Sequence, residues 1–342
     1  MSAFYGGIDL HAKSLQACVI DEKGEAMKEK KIDNKLDQII QFLRPFGKDI
    51  QIAIESTVNW YWLVDGLMDA GFNVKLAHPF GLKLITGAKV KTDRKDAYKL
   101  ANLQRLGSLP EAHIYPKDTR PLRDLLRRRS DLVKQRAKCY LGLRMPFLQY
   151  NTNTFSQSAL KRLEDEALLI MEIPEPVKMY GSMTLERIEL LTKQIDRIEG
   201  YLEGITIIDQ RFKLLTDIVG IGRVLGLTIY YESGDIQRFI NVRHFSSYCR
   251  LVPGMHQSSD TVKRGGGSKQ GNAYLKWAFS QAAMYAAAFD KDIKAHRDRR
   301  ANKIKGNSQN MKANIILSHK LGMAVFYVLK DGVPFNKELL FG

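Results

Sequence analysis

Apolar residues change their spacing several times along the first 110 positions of this chain, and each change marks an element. Residues 4–10 and 15–20 are aliphatic and short, which predicts two antiparallel strands followed by a turn at Asp21-Glu22-Lys23-Gly24. A third short strand is expected near 27–32. Leu36, Ile39, Ile40 and Leu43 then fall three or four apart, the spacing of an amphipathic helix. Residues 49–54 predict a buried strand, 60–68 a helix and 74–77 a further strand. A last helix should start near Thr92 and run to about Leu106.

Three strands followed by alternating helices and strands is the order of an α/β ribonuclease-H-like (RuvC-like) domain, although order alone does not establish chemistry. From about residue 117 the pattern becomes helical. Residues 120–144 are basic, with Leu122, Leu125, Leu126 and Leu132 as an apolar stripe. Residues 151–182 are less regular. Ile188, Leu191, Ile195, Ile198 and Leu202 then alternate steps of three and four, a heptad seam. Such a seam serves either a helical hairpin packed on its own domain or an intermolecular coiled coil. The expected organisation is a catalytic domain at 1–115, a coiled-coil arm at 116–208 and a mostly α-helical domain at 209–342.

In that last region Gly220-Ile221-Gly222 resembles the turn of a helix-hairpin-helix, which lets backbone amides approach a phosphate. A turn with no ligand has the same signature. Lys263-Arg264-Gly265-Gly266-Gly267-Ser268-Lys269 is a glycine-rich loop with three cations, ahead of a helix expected from 273 to 288. Its placement suits a phosphate cradle, and a plain connector is the alternative.

Charge sharpens the picture. The 342 residues carry 53 Lys and Arg against 37 Asp and Glu, a formal net charge of +16. Such an excess favours a polyanionic partner through counterion release. Three widely spaced cysteines, Cys18, Cys139 and Cys249, argue against a disulfide framework and structural zinc. No apolar run approaches a membrane span, and no leader-like N-terminus is visible. A protein of the cytoplasm, associated with the nucleoid, is expected.

Against this basic background four acids stand out. Asp9 lies in Tyr-Gly-Gly-Ile-Asp-Leu-His (5–11), and Glu55 closes a strand in Ile-Ala-Ile-Glu-Ser-Thr (52–57). Asp93 and Asp96 lie three apart in Lys-Thr-Asp-Arg-Lys-Asp-Ala (91–97), so one helix face carries both. Carboxylates gathered in this way need a cation between them. Hard oxygen ligands suit Mg²⁺, and paired Mg²⁺ ions serve in-line displacement at phosphorus. Singly, Asp9 reads as a hairpin residue, Glu55 as a strand end and Asp93 as a favourable charge near a capped helix start. His11 reads as a surface or hairpin residue. Arg127, Arg128 and Arg129 are a solvated face or a set of phosphate contacts, the latter favoured by the net charge.

Taken together, these motifs resemble the DEDD transposases of insertion sequences that encode a bridge RNA. Gly-Ile-Asp (7–9), Ile-Glu-Ser-Thr (54–57) and Lys-Thr-Asp-Arg-Lys-Asp-Ala (91–97) resemble that family's N-terminal domain. Gly220-Ile-Gly222, Gly234-Asp-Ile-Gln-Arg-Phe239, Leu251-Val-Pro253, Ser258 and Ser268-Lys-Gln-Gly-Asn272 resemble its C-terminal domain. The resemblance implies an RNA-guided recombinase that cuts and rejoins DNA. Asp9, Glu55, Asp93 and Asp96 would bind Mg²⁺, and a serine would form a phosphoserine link. Position selects Ser258, although the family has Ser-Gly where this chain has Ser258-Ser259. The implied partners are a guide RNA, donor and target DNA, and further copies of the chain, as a dimer and as a tetramer in the synaptic complex. Lys263, Arg264 and Lys269 would join the arginines in contacting nucleic acid. The competing expectation is a RuvC-like, Mg²⁺-dependent junction endonuclease that uses water as nucleophile.

Overall fold

A computed structural model describes residues 3–85, 92–150, 157–163, 167–168, 170–258, 261–267 and 270–341. The chain divides into two compact units, Met1–Lys117 and Asp118–Gly342.

The first unit is built on a six-stranded sheet of order β3-β2-β1-β4-β5-β6. β1 (Tyr5–Leu10), β2 (Ser14–Ile20) and β3 (Ala26–Asp33) form an antiparallel meander. β4 (Gln51–Glu55) runs parallel to β1, and β5 (Asn73–Ala77) parallel to β4. β6 is the two-residue edge Glu111–Ala112. The expected turn after β2 forms because Asp21 Oδ1 accepts from the amides of Lys23 and Glu25, both at 2.9 Å, and Gly24 supplies φ +90°. On β3, exposed Lys28, Lys30 and Lys31 mark the edge strand, where charge discourages pairing with another chain.

Side chains alternate across this sheet, and the two faces differ in size. Ile8, Leu10, Ile52 and Ile54 pack with α1 (Leu36–Leu43) and α2 (Tyr61–Asp69) in one core. Gly7, Ala53 and Ala77 belong to the opposite, small-residue face. There α4 (Asp93–Arg105) packs through Ala97, Leu100 and Ala101. α3 is the short helix Pro79–Ile85. Thr92 caps α4 in extended backbone, its side chain accepting from the Lys95 amide.

The second unit starts with two long helices, α5 (Arg120–Gln149) and α6 (Glu175–Glu203). Arg129 meets Glu199, Arg136 meets Thr192 and Gly142 meets Tyr180, so the two run antiparallel. Four of the heptad residues, Ile188, Leu191, Ile195 and Leu202, are buried within this unit. Ile188 joins Leu143 and Phe147, while Leu202 joins Leu126. The seam is thus used within the chain. Phe147 of α5 is core, at 2% exposure.

The main helices that follow are α7 (Gln210–Thr216), α8 (Arg223–Ser233), α9 (Val242–Tyr248), α10 (Ala273–Phe289), α11 (Lys291–Asn302) and α12 (Gln309–Asp331), with short helices at Gln157–Leu160 and Lys337–Phe341 besides. They enclose a core around Phe245, Phe279, Leu275 and Val325. Between α9 and α10 lies an antiparallel hairpin, β7 (Pro253–Ser258) with β8 (Thr261–Gly267). Among the described residues no helix is long and apolar enough to cross a membrane.

Candidate active site

Sheet register brings the first acids together. Ile8 lies opposite Ile54 on the parallel strand, so Asp9 and Glu55 leave the ends of neighbouring strands on the same face. That face is the one covered by α4. The helix lies close because Gly7 has no side chain: a Cβ there would sit 2.0 Å from the Ala97 carbonyl oxygen and 2.5 Å from the Ala101 nitrogen. Ala97 adjoins Asp96, so this close approach carries the first turn of α4 to the end of β1. Asp9 is 6% exposed, Glu55 and Asp96 are half-buried, and Asp93 is exposed.

The electrostatics follow from this crowding. Burial pushes the Asp9 carboxyl above its ordinary value, and the charges of Asp96, Asp93 and Glu55 push in the same direction. His11 opposes them. Its Nε2 lies 3.3 Å from an oxygen of Asp9 and 3.3 Å from an oxygen of Asp93. Backbone geometry holds it there: the His11 carbonyl accepts from Asn34 Nδ2 at 2.9 Å and from Asn59 Nδ2 at 3.0 Å. The period of two that puts Asp9 on the α4 face puts His11 there as well. That alternation is the signal for its place beside the acids, and the side chain itself is exposed, as expected of a surface position.

Ligand atoms of Asp9, His11 and Asp93 all lie within 4.8 Å of one another. One of these carboxylates is desolvated and surrounded by like charge, which a divalent cation would relieve. The donor set fits such an ion. His11, when protonated, fills part of that role by itself.

The second group of expected site residues lies in the other unit. Ser258 is the last residue of β7, in register with Thr261. Lys263 and Arg264 lie in β8, opposite His256 and Met255. Ser259, Ser268 and Lys269 lie outside the described residues. The expected glycine-rich loop is therefore mostly a strand, because its backbone finds ladder partners in β7. The phosphate cradle expected at the following helix start also changes. Asn272 Oδ1 already accepts from the amides of Tyr274 and Leu275, at 2.9 and 3.1 Å, so the N-terminus of α10 is capped internally.

Asn272 has a second task. Its Nδ2 donates to Glu232 at 2.7 Å. Glu232 is fully buried and also accepts from Arg123 at 3.0 Å and from Arg127 at 2.5 and 2.9 Å. Burial alone would raise this carboxyl, but Arg127, Arg123 and Asn272 together hold it below its ordinary value. Arg127 thus has an internal partner, as has Arg129 through Glu199 at 2.5 Å. Of the three consecutive arginines, Arg128 is the exposed one. The Gly-Ile-Gly turn is likewise engaged internally. Gly220 adopts φ +90°, and a Cβ on it would lie 2.4 Å from the Ala282 carbonyl oxygen of α10. Packing of α10 explains that glycine without a ligand.

Comparison with known proteins agrees with both halves. Residues 6–150 match a family model described as a transposase, of the DEDD type named after IS110. Residues 212–298 match a model described as "Transposase IS116/IS110/IS902 family". The two matches together cover more than half of the chain. Over 319 residues the chain is 24% identical to a probable family 20 transposase of Pseudomonas aeruginosa, covering 91% of each. It is 24% identical to the transposase for insertion sequence element IS1328 of Yersinia enterocolitica, over 97% of this chain and 98% of that one. The transposase for insertion sequence element IS1111A of Coxiella burnetii is 26% identical over 79% of this chain and 74% of its own.

Proposed function

This chain belongs to the IS110-type DEDD transposases of insertion sequences, and from that premise we propose that it is an RNA-guided DNA recombinase with a serine nucleophile. The observation that carries this reading is the Asp9 carboxyl, buried and pushed up by three further carboxylates. A structural sheet has no use for such an arrangement, whereas phosphoryl transfer does.

In this reading Asp9, Glu55, Asp93 and Asp96 hold Mg²⁺. When bound, the metal would supply Lewis acidity at the scissile phosphate and neutralise charge developing there. Ser258 Oγ forms a bond to phosphorus while the bond from phosphorus to a deoxyribose oxygen breaks. The serine proton is lost to solvent or a nearby base, and the departing sugar oxygen gains one. The phosphoserine link keeps the energy of the phosphodiester, so strands rejoin without a nucleotide cofactor. Base pairing with a guide RNA would choose the sites, leaving shape and backbone to the protein. Lys263, Arg264, Lys269 and Arg128 would contact that backbone. The long helices would form a coiled-coil arm between the 1–115 and 209–342 domains. That arm would serve assembly into a dimer, and into a tetramer when donor and target DNA are paired. Such work belongs in the cytoplasm, at the nucleoid.

The test uses labelled target DNA, matching guide RNA and Mg²⁺. Wild type should give a labelled protein–DNA species that survives detergent, and Ser258→Ala should lose it together with strand exchange. Ser259→Ala should be milder, about one hydrogen bond or ~1 kcal/mol. Normal cleavage by both variants, with free DNA ends, would instead identify a Mg²⁺-dependent junction endonuclease that activates water.

A further inference from the structure

The second family match ends at residue 298, and a strongly charged segment begins there. From Arg299 to Lys330 the chain has seven Lys and Arg and no Asp or Glu. Arg299 and Arg300 lie in the last turn of α11, Lys303 follows it, Lys305 lies in the connecting turn and Lys312 opens α12. All five are exposed.

Nearby acids are already engaged with other cations. Asp298 takes Arg297 at 2.6 Å and Lys294 at 3.2 Å, while Lys337 takes Asp290 at 3.0 Å and Asp292 at 2.6 Å. Among the described residues none of the five exposed cations has an ion-pair partner. The resulting positive potential reaches the groups behind it. His296 is held below its ordinary value by burial and by the charges of Lys320, Arg300 and Arg299. Lys320 is lowered by burial and by Arg300.

A structural role accounts for only part of this. Cations in a last turn favour the negative end of a helix, which suits Arg299 and Arg300. Lys305 and Lys312 lie beyond the reach of that effect. Exposed Asn302, Asn307, Gln309 and Asn310 add amide donors and acceptors on the same segment, the groups that accompany cations against phosphate and sugar.

We propose that Arg299, Arg300, Lys303, Lys305 and Lys312 form a binding surface for the phosphodiester backbone of a nucleic acid. This surface extends the recombinase reading and rests on it for the class of partner. It recognises charge and sugar-phosphate spacing, so it places a strand without selecting a sequence.

The experiment measures affinity against salt for two labelled probes of random sequence, a duplex DNA and a single-stranded RNA. The variant is Arg299→Gln/Arg300→Gln/Lys305→Gln. Its control, Lys23→Gln/Lys30→Gln/Lys31→Gln, loses the same net charge from the first unit. Each lost phosphate contact should lower the slope of log affinity against log salt by about 0.9 on duplex DNA and about 0.7 on a single strand. A decrease of about two or more contacts in the variant, with the control near wild type, supports the surface. If the decrease appears with one probe only, that nucleic acid is the ligand. Slopes equal to wild type, or equal to those of the control, overturn the surface and leave the recombinase reading standing. Failure of wild type to bind either probe overturns both. Lys305→Gln alone, away from the helix end, should still remove close to one contact, which separates binding from any fault in folding.

Discussion

A side-chain carbon on Gly7 would lie 2.0 Å from the carbonyl oxygen of Ala97. This one approach sets the height of α4 above β1, and so the distance from Asp93 and Asp96 to Asp9. A glycine is needed here for space.

Gly7→Ala should therefore act on stability and activity together. The backbone of α4 has to move, at a cost of about 1–3 kcal/mol, and its first turn moves away from Asp9. Gly6→Ala is the comparison. Its added carbon would come no nearer than 3.5 Å to its neighbours Ile50 and Ile52, an ordinary contact. Thermal melting and a DNA cleavage assay should show Gly7→Ala losing both properties and Gly6→Ala close to wild type.

Asp9→Asn should abolish cleavage while leaving RNA affinity intact, because removing a carboxylate gives a polyanion no reason to leave. His11→Ala should behave differently. Mg²⁺ prefers oxygen ligands, so the imidazole is the dispensable member of the group at 3.3 Å from Asp9 and Asp93. Cleavage against Mg²⁺ concentration, for both variants, checks this: loss of cleavage in His11→Ala at every concentration would make the histidine essential.

Glu232 should report its ion pairs through pH. Its folded carboxyl lies below the ordinary 4.5, so the pairing contributes fully above about pH 4.5 and is lost as pH falls through the folded value. Glu232→Gln leaves buried Arg123 and half-buried Arg127 without that carboxylate, a loss of about 3–5 kcal/mol near neutral pH. Urea unfolding of the two proteins should show a large gap at pH 7 that narrows under acid. A gap independent of pH would mean that shape, not charge, matters at this position.

The two faces of the long helices should separate. Ile195 is 2% exposed in the α5–α6 pairing, so Ile195→Glu should lower the melting temperature sharply. Met145 is 56% exposed, so Met145→Glu should leave melting unchanged. If the arm serves self-association, light scattering should show a smaller species for Met145→Glu. An unchanged mass places the contacts between copies elsewhere.

Much of the first unit was legible in the residues themselves. Strands β1–β5 and helices α1, α2 and α4 follow local periodicity, turn chemistry at Asp21–Gly24 and the Thr92 cap, which are properties of neighbours in the chain, whereas α3 carries no such pattern. The four acids were visible as well, because each closes or opens a predictable element. His11 was visible in principle, through the same alternation that places Asp9. Other features depended on partners distant in sequence. Arg127 looks like a solvated cation until Glu232, 105 residues away, is buried against it. The glycine-rich run looks like a loop until β7 offers it a ladder, and Gly220 looks like a phosphate turn until α10 packs on it. Spacing along a chain determines which face a residue shares with its neighbours. Only the tertiary fold decides what that face meets, because burial and charge pairing depend on distances that periodicity does not contain.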